Sequence, residues 1–277
     1  MAGGGNDFIV LDGVNRPAPE FSPEEIRRLC RRGVSIGADG LVVLARSECA
    51  GVRMLHWNSD GGANPFCGNG TRCAARLAFE LDLVPLKTTI ETGSGVMDAE
   101  LFVGGEVSVQ VPRASGLRRG IGLEASGKLF EGDFVVIGVP HFVTMSAAPL
   151  SSLDLVAIGP PLRRHPDLGP AGANVSFVER HGADTLRIRT FERGVEGETG
   201  SCGSGSVAAA LSLRLASGGD RPVRLLPTSG IPLTVTMRLE GGELTDFRLR
   251  GDARIVFRGE ATPETEGPEG EGLGPSA

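Results

Sequence analysis

Along most of the chain apolar and polar residues alternate in short runs punctuated by glycine and proline, a period-two pattern that predicts strands. Such runs cover residues 8–13, 41–45, 53–57, 107–111, 133–138, 185–191, 232–239 and 253–257. Three stretches break the pattern and predict helices. The first opens on Ser22, Pro23 and Glu25, a capping box with proline at the first helical position, runs through Ile26 and Leu29, and stops before Gly33. The other two, 71–81 and 206–216, are built mostly of Ala, Leu and Val. The second has almost no polar face, and a helix that is apolar all round has to be enclosed by the fold.

These two enclosed helices are announced in the same way. Trp57-Asn58-Ser59-Asp60-Gly61 leads to Cys67-Gly68-Asn69-Gly70 before the first, and Phe191-Glu192-Arg193-Gly194 leads to Cys202-Gly203-Ser204-Gly205 before the second. The repeat of strand, loop, Cys-Gly-x-Gly and helix at about half the chain length predicts two similar domains, each a curved sheet around its own helix. The boundary falls near Pro112, giving 1–112 and 113–250, with a last strand within 251–260 returning to the first domain. Residues 261–277, poor in apolar residues and rich in Glu, Gly and Pro, are expected to be a disordered acidic tail.

Composition sharpens this picture. The 42 glycines and 18 prolines among 277 residues exclude a helical bundle. The net charge of −6 is mostly tail, since Glu264, Glu266, Glu269 and Glu271 carry four of the six units. With no basic face, a nucleic-acid partner is not expected. No apolar run reaches the ~20 residues of a membrane helix, and no signal sequence opens the chain. Five cysteines, Cys30, Cys49, Cys67, Cys73 and Cys202, form an odd set without framework spacing. That usage fits free thiols in a reducing compartment, so the cytoplasm is expected.

A cysteine set just before a glycine-bracketed helix start faces unpaired amide groups and the positive end of the helix dipole, which is expected to draw its pKa from ~8.5 toward neutrality. The glycines let the backbone approach a ligand, and the free amides form an anion site for a carboxylate or phosphate. A single such motif also serves plain packing. If two copies face each other across a pseudo-twofold axis, two thiols flank one carbon whose carboxylate is held by both helix ends. One thiol then removes a proton from one face while the other delivers one to the opposite face, and the stereocentre inverts. Other readings fit less of the chain. A thiol protease pairing with His56, His141 or His165 leaves the second Cys-Gly-x-Gly unexplained, no Lys-Ser/Thr follows the glycines as in a P-loop, and Cys67-x5-Cys73 is no zinc pattern. His141, after Pro140, reads first as a hydrogen-bonded structural histidine, and Cys30 and Cys73 as packing residues.

Seven segments in order resemble the diaminopimelate epimerase family. They are Gly5-Asn6-Asp7-Phe8, Gly37-Ala38-Asp39-Gly40, Asn58-Ser59-Asp60-Gly61, Cys67-Gly68-Asn69-Gly70-Thr71-Arg72-Cys73, Pro140-His141, Asn174 through Glu179, and Glu192-Arg193-Gly194 through Gly197-Glu198-Thr199 to Cys202-Gly203-Ser204-Gly205. The resemblance implies an α+β fold of two pseudo-symmetric domains, each a curved, mostly antiparallel sheet around a central helix. It implies an enzyme that interconverts LL- and meso-diaminopimelate for lysine and peptidoglycan synthesis, as a homodimer, with neither pyridoxal cofactor nor metal. Cys67 and Cys202 then correspond to the acid/base pair. Gly68, Asn69, Gly203 and Ser204 correspond to the backbone cradle of the reacting carboxylate, and Asn6, Asn58, Asn174, Glu192 and Arg193 to the side chains on the amino groups and distal carboxylate. A racemase of another amino acid, a dehydratase of the proline-racemase kind and a non-catalytic binding homologue remain alternatives. Three departures stand out. The first strand that relatives place before Gly5 is expected to be lacking, one extra residue separates Arg193 from Gly197, and Val139 stands where an asparagine commonly precedes Pro-His.

Overall fold

A computed structural model of the protein describes residues 1–262 and 265. The acidic tail expected over 261–277 therefore lies largely outside the described residues. The first half of the chain runs β1 (Ala2–Gly3), β2 (Asn6–Asp12), α1 (Pro23–Cys30), β3 (Gly40–Ala45), β4 (Val52–Asn58), α2 (Gly68–Glu80), β5 (Lys87–Thr92), β6 (Gly95–Leu101) and β7 (Glu106–Gln110). The second runs β8 (Ser115–Ala125), β9 (Lys128–Ile137), β10 (Val139–Met145), α3 (Leu155–Arg163), β11 (Asn174–Arg180), β12 (Thr185–Glu192), β13 (Gly197–Thr199), α4 (Gly203–Ser217), β14 (Val223–Leu226), β15 (Leu233–Glu240) and β16 (Glu243–Asp252).

The two halves repeat each other. In the first, β2 pairs parallel with β3, β3 antiparallel with β4, β4 parallel with β5, and β5–β6 and β6–β7 antiparallel. The second reproduces this sequence through β10, β11, β12, β14, β15 and β16. Each parallel pair needs a crossover, which α1 and α2 make in one half and α3 and α4 in the other. The halves join where β7 and β16 pair antiparallel, giving one continuous path β1–β7, β16, β15, β14, β12, β11, β10, β9, β8. Helix α2 packs against β1 to β7, and α4 against β9 to β12 and β14 to β16. The α+β architecture, a large curved and mostly antiparallel sheet wrapped around central helices, is thus the fold expected from the sequence.

The local chemistry accounts for the helices that were expected. In α1 the Ser22 hydroxyl accepts the Glu25 N–H at 3.3 Å while the Glu25 carboxylate accepts the Ser22 N–H at 2.7 Å, closing the capping box, and Ile26 and Cys30 face inward. In α4 Val207, Ala208, Ala210 and Leu211 are buried on successive faces, as an all-apolar helix requires. Two expectations need correction. Residues 253–257 form no strand; among the described residues beyond Asp252 there is only a bridge from Arg254 to Ala2, and Val256 and Phe257 stay exposed, with no described neighbour pairing with them. The strand that reaches the first half is β16 itself. The edge strand expected to be lacking at the start is present in short form, Ala2–Gly3 pairing with Asp7 and Asn6.

Candidate active site

Each Cys-Gly-x-Gly places its cysteine at the N-cap of an enclosed helix. Cys67 is extended (φ −139°, ψ 110°), so its Sγ turns back over the first turn of α2 and accepts the Gly70 N–H at 3.4 Å. Cys202 holds the same place before α4 (φ −109°, ψ 111°), its Sγ 3.7 Å from Ser204 Oγ. The glycines are required by contact. A Cβ on Gly205 would stand 3.0 Å from Ser176 Oγ and 3.2 Å from Cys202 Sγ. A Cβ on Gly68 would stand 2.9 Å from Leu249 Cδ2, and one on Gly203 would stand 2.8 Å from the same atom. The two helix starts therefore press on one methyl group, and the amides of their first turns, which a helix leaves without internal partners, open into the same space.

That space is a cleft of about 1190 Å³, lined by all eleven residues expected at the site: Asn6, Asn58, Cys67, Gly68, Asn69, Asn174, Glu192, Arg193, Cys202, Gly203 and Ser204. Val139 lines it as well, presenting an apolar side chain. His141 does not; it is wholly buried on β10, opposite Asn174. Asn174 accepts the Arg193 N–H on Oδ1 at 2.7 Å, which anchors the turn carrying Arg193. The extra residue in this turn is absorbed by Glu196, which adopts φ 55°, donates its N–H to the Glu192 carbonyl at 2.8 Å and pairs with Arg163 and Arg164.

The polarity of the amide side chains is fixed by a directed chain. Arg72, fully buried, donates to Asn69 Oδ1 at 2.8 Å; Asn69 Nδ2 donates to Asn6 Oδ1 at 2.6 Å; Asn6 Nδ2 donates to Asp39 Oδ2 at 2.9 Å. Neither amide can flip without setting donor against donor. Asp39 and Asp7 are held in turn by Arg32, which also lines the cleft. Near the second thiol, the Thr199 hydroxyl donates to the Glu192 carboxylate, which lies within reach of the Cys202 sulfur.

The thiols themselves overturn one expectation. Burial pushes Cys67 up from its ordinary value, and only partly do the Gly70 and Asn69 amides and the Arg72 charge pull it back. Burial pushes Cys202 up further, with the Glu192 charge adding to it against the Gly205 amide and Ser204 hydroxyl. Helix-start amides therefore temper the cost of a buried thiolate without overcoming it. Glu192 is itself raised by burial, against hydrogen bonds from Thr199 and Cys202.

Sequence reasoning missed several residues here. Leu249 carries no motif; Arg72, Asp39 and Thr199 belong to quoted segments but their roles as anchors arise only from contacts made across the fold. From the sequence His56 offers itself only as a thiol partner. It lines the cleft, is almost fully buried against Phe8, and has no hydrogen-bond partner on either nitrogen among the described residues.

The chain is similar to known proteins in sequence and in fold. A family model described as diaminopimelate epimerase matches residues 1–115 and 134–255. The chain is 38% identical over 274 residues to a diaminopimelate epimerase of Gemmatimonas aurantiaca, covering 94% of this chain and 97% of that one. It is 40% identical over 265 residues to one from Chlorobaculum tepidum, covering 95% and 100%. Among solved structures it resembles a phenazine biosynthesis protein of the PhzF family from Bacillus anthracis, with TM-score 0.65, 15% identity and coverage of 84% and 86%. It also resembles a probable proline racemase from Agrobacterium radiobacter with bound carbonate, with TM-score 0.63, 18% identity and coverage of 88% and 84%. At such identities these two likenesses speak for the fold.

Proposed function

The chain belongs to the diaminopimelate epimerase family, and we infer on that premise that it interconverts LL- and meso-2,6-diaminopimelate by moving the α-hydrogen between two thiols without a cofactor. The observation that carries the reading is the convergence of two Cys-Gly-x-Gly helix starts on one cleft. The substrate's reacting carboxylate takes the amides of Gly68, Asn69, Gly203 and Ser204, which also stabilise the charge that moves onto it as the α-carbon loses its proton. Cys67 and Cys202 stand on opposite faces of that carbon. Turnover needs one thiolate and one thiol, and the surroundings divide the roles: the Arg72 charge favours the thiolate at Cys67, while Glu192 favours the protonated form of Cys202. Arg193 binds the distal carboxylate in the bidentate manner of a guanidinium, and Asn6, Asn58, Asn174 and Glu192 bind the amino groups. A cytoplasmic homodimer, and a division near Pro112 into two units that close on the substrate, belong to the same proposal.

The direct test is incubation with LL-diaminopimelate in deuterated water without added cofactor. Solvent deuterium is expected at the α-carbon of the meso product; absence of both exchange and inversion, with the protein folded and reduced, would overturn the reading.

Val139 bears on substrate choice. Valine gives the far end of the cleft an apolar surface where an asparagine would offer a donor and an acceptor. A buried polar group left without that partner costs ~1–3 kcal/mol, roughly 5- to 150-fold in affinity. Val139→Asn is therefore expected to lower KM for diaminopimelate and leave kcat nearly unchanged, since the contact is made equally in ground and transition states. If instead a monocarboxylic amino acid exchanges its α-hydrogen with higher kcat/KM than diaminopimelate, Val139 marks a pocket for that substrate and the thiol chemistry stands with a different ligand.

A further inference from the structure

Leu249 lies on β16, the strand that joins the halves, paired with Val109 of β7 on one side and Val235 of β15 on the other. It is fully buried. Its Cδ2 occupies the place where a Cβ on either Gly68 or Gly203 would intrude, at 2.9 Å and 2.8 Å. These glycines directly follow the two cysteines, so the first turn of each helix rests against one and the same methyl group. Across that contact a Cβ on Gly203 would also be 3.7 Å from Asn69 Oδ1, so the two helix starts face each other over Leu249. Helices are rigid and protein interiors are close-packed, so a single side chain wedged between two helix ends fixes their separation.

We propose that Leu249 is a positioning residue that sets the spacing of the two helix starts, and with it the spacing of the Cys67 and Cys202 sulfurs across the substrate. The role in turnover rests on the two-thiol reading above; the spacing itself does not. Proton transfer to and from one carbon requires both sulfurs in near-contact with it, and a misplacement of about 1 Å costs roughly a hundredfold in rate. Leucine reaches both glycines with the same Cδ2, so shortening it opens the contact at both helix starts together.

The test is a coupled set of variants. Gly203→Ala places a methyl group in the space of Leu249 Cδ2 and is expected to lower kcat/KM by roughly a hundredfold. Leu249→Ala opens that space and is also expected to lower it. In the double variant Gly203→Ala with Leu249→Ala the new methyl occupies the vacated space, and activity is expected to rise at least about tenfold above Gly203→Ala alone. The second readout needs no turnover. The rate of oxidative Cys67–Cys202 linkage, followed by peptide mass spectrometry, should change at least about tenfold in Leu249→Ala, while alkylation of exposed Cys49 stays at the wild-type rate. A residue that merely stabilises the core would lower melting temperature in all three variants, give multiplicative losses of activity and leave the linkage rate of the folded protein unchanged; that outcome overturns the proposal. Wild-type protein with no epimerase activity but with the linkage rate shifted by Leu249→Ala would instead remove the proposed function and leave the spacing role in place.

Discussion

Cys67→Ala and Cys202→Ala are each expected to lose at least about a thousandfold in kcat for inversion, within the range a positioned acid or base contributes, while keeping the fold. The cost to stability is small. In Cys67→Ala the helix loses one capping contact, the Gly70 N–H to sulfur, worth about 1 kcal/mol. The two losses have different chemical character. With one thiol gone, the remaining one can still remove and return a proton on its own face, so each variant should at most wash solvent deuterium into one stereoisomer and not the other, and the two variants should differ in which. A single-base mechanism predicts the opposite, because one variant would then exchange neither isomer and the other both. Near wild-type inversion in either variant would end the two-thiol account, and so would restoration of activity by pyridoxal phosphate. Circular dichroism and melting curves separate loss of chemistry from loss of fold.

The features legible in the sequence were those that local chemistry enforces. Ser22 and Glu25 cap α1 by contacts within four residues, and the two Cys-Gly-x-Gly starts with their apolar continuations define α2 and α4 with no knowledge of the rest. Helix α3 was hidden because Pro160 and Pro161 lie inside it. It forms through tertiary contacts: the Ala157 carbonyl, which lacks the amide Pro161 cannot donate, takes the Ser126 hydroxyl at 3.5 Å, and Gly159 lets the helix close onto Phe191, where a Cβ would stand 2.4 Å from the ring. Its existence could have been argued from the duplication, since it occupies the place in the second half that α1 occupies in the first. Strand β16 carried a readable signal too, with Gly241-Gly242 at φ 59° and 88° forming the hairpin turn and Phe247, Leu249 and Gly251 alternating inward. The apolar run after it reads as a strand in the sequence, but apolarity without a partner edge makes no strand.

For the site, residue identities were legible and energetics were not. All eleven expected residues reach one cleft because their segments lie at the helix starts and at the strand ends beside them. The direction of the thiol shifts depends on burial, a property of the assembled fold; the helix-start argument alone gave the wrong sign. The same holds for Arg72 and Leu249, whose importance lies in what they touch across the seam.

Two buried histidines weaken the fold as the pH falls below neutrality. Burial holds His56 down to about 4, and burial together with the Arg193 charge holds His141 down to about 3. In the unfolded chain both titrate near 6.5. As pH falls below that value the unfolded chain gains two protons that the folded protein does not accept, so stability, fully present above about pH 7, declines until the pH passes the folded values. Each proton contributes a slope of about 1.4 kcal/mol per pH unit, and the two shifts together amount to several kcal/mol, comparable with the ~5–15 kcal/mol that holds a domain folded. Glu192 works in the other direction, since burial lets the fold keep its proton above the ordinary carboxylate value, whereas Asp7, Asp12 and Glu198 are held below that value and add to the loss in stronger acid. Denaturant midpoints measured from pH 7.5 to pH 5 should therefore fall steeply toward acid. His56→Phe preserves the aromatic edge against Phe8, whose ring centroid lies 5.7 Å away, and removes one titrating group; the slope below pH 6 should drop by about 1.4 kcal/mol per pH unit and the variant should outlast the wild type at pH 5. A midpoint independent of pH across this range, or a slope unchanged by His56→Phe, would show that His56 finds a proton partner in the folded protein and that its burial does not govern acid unfolding.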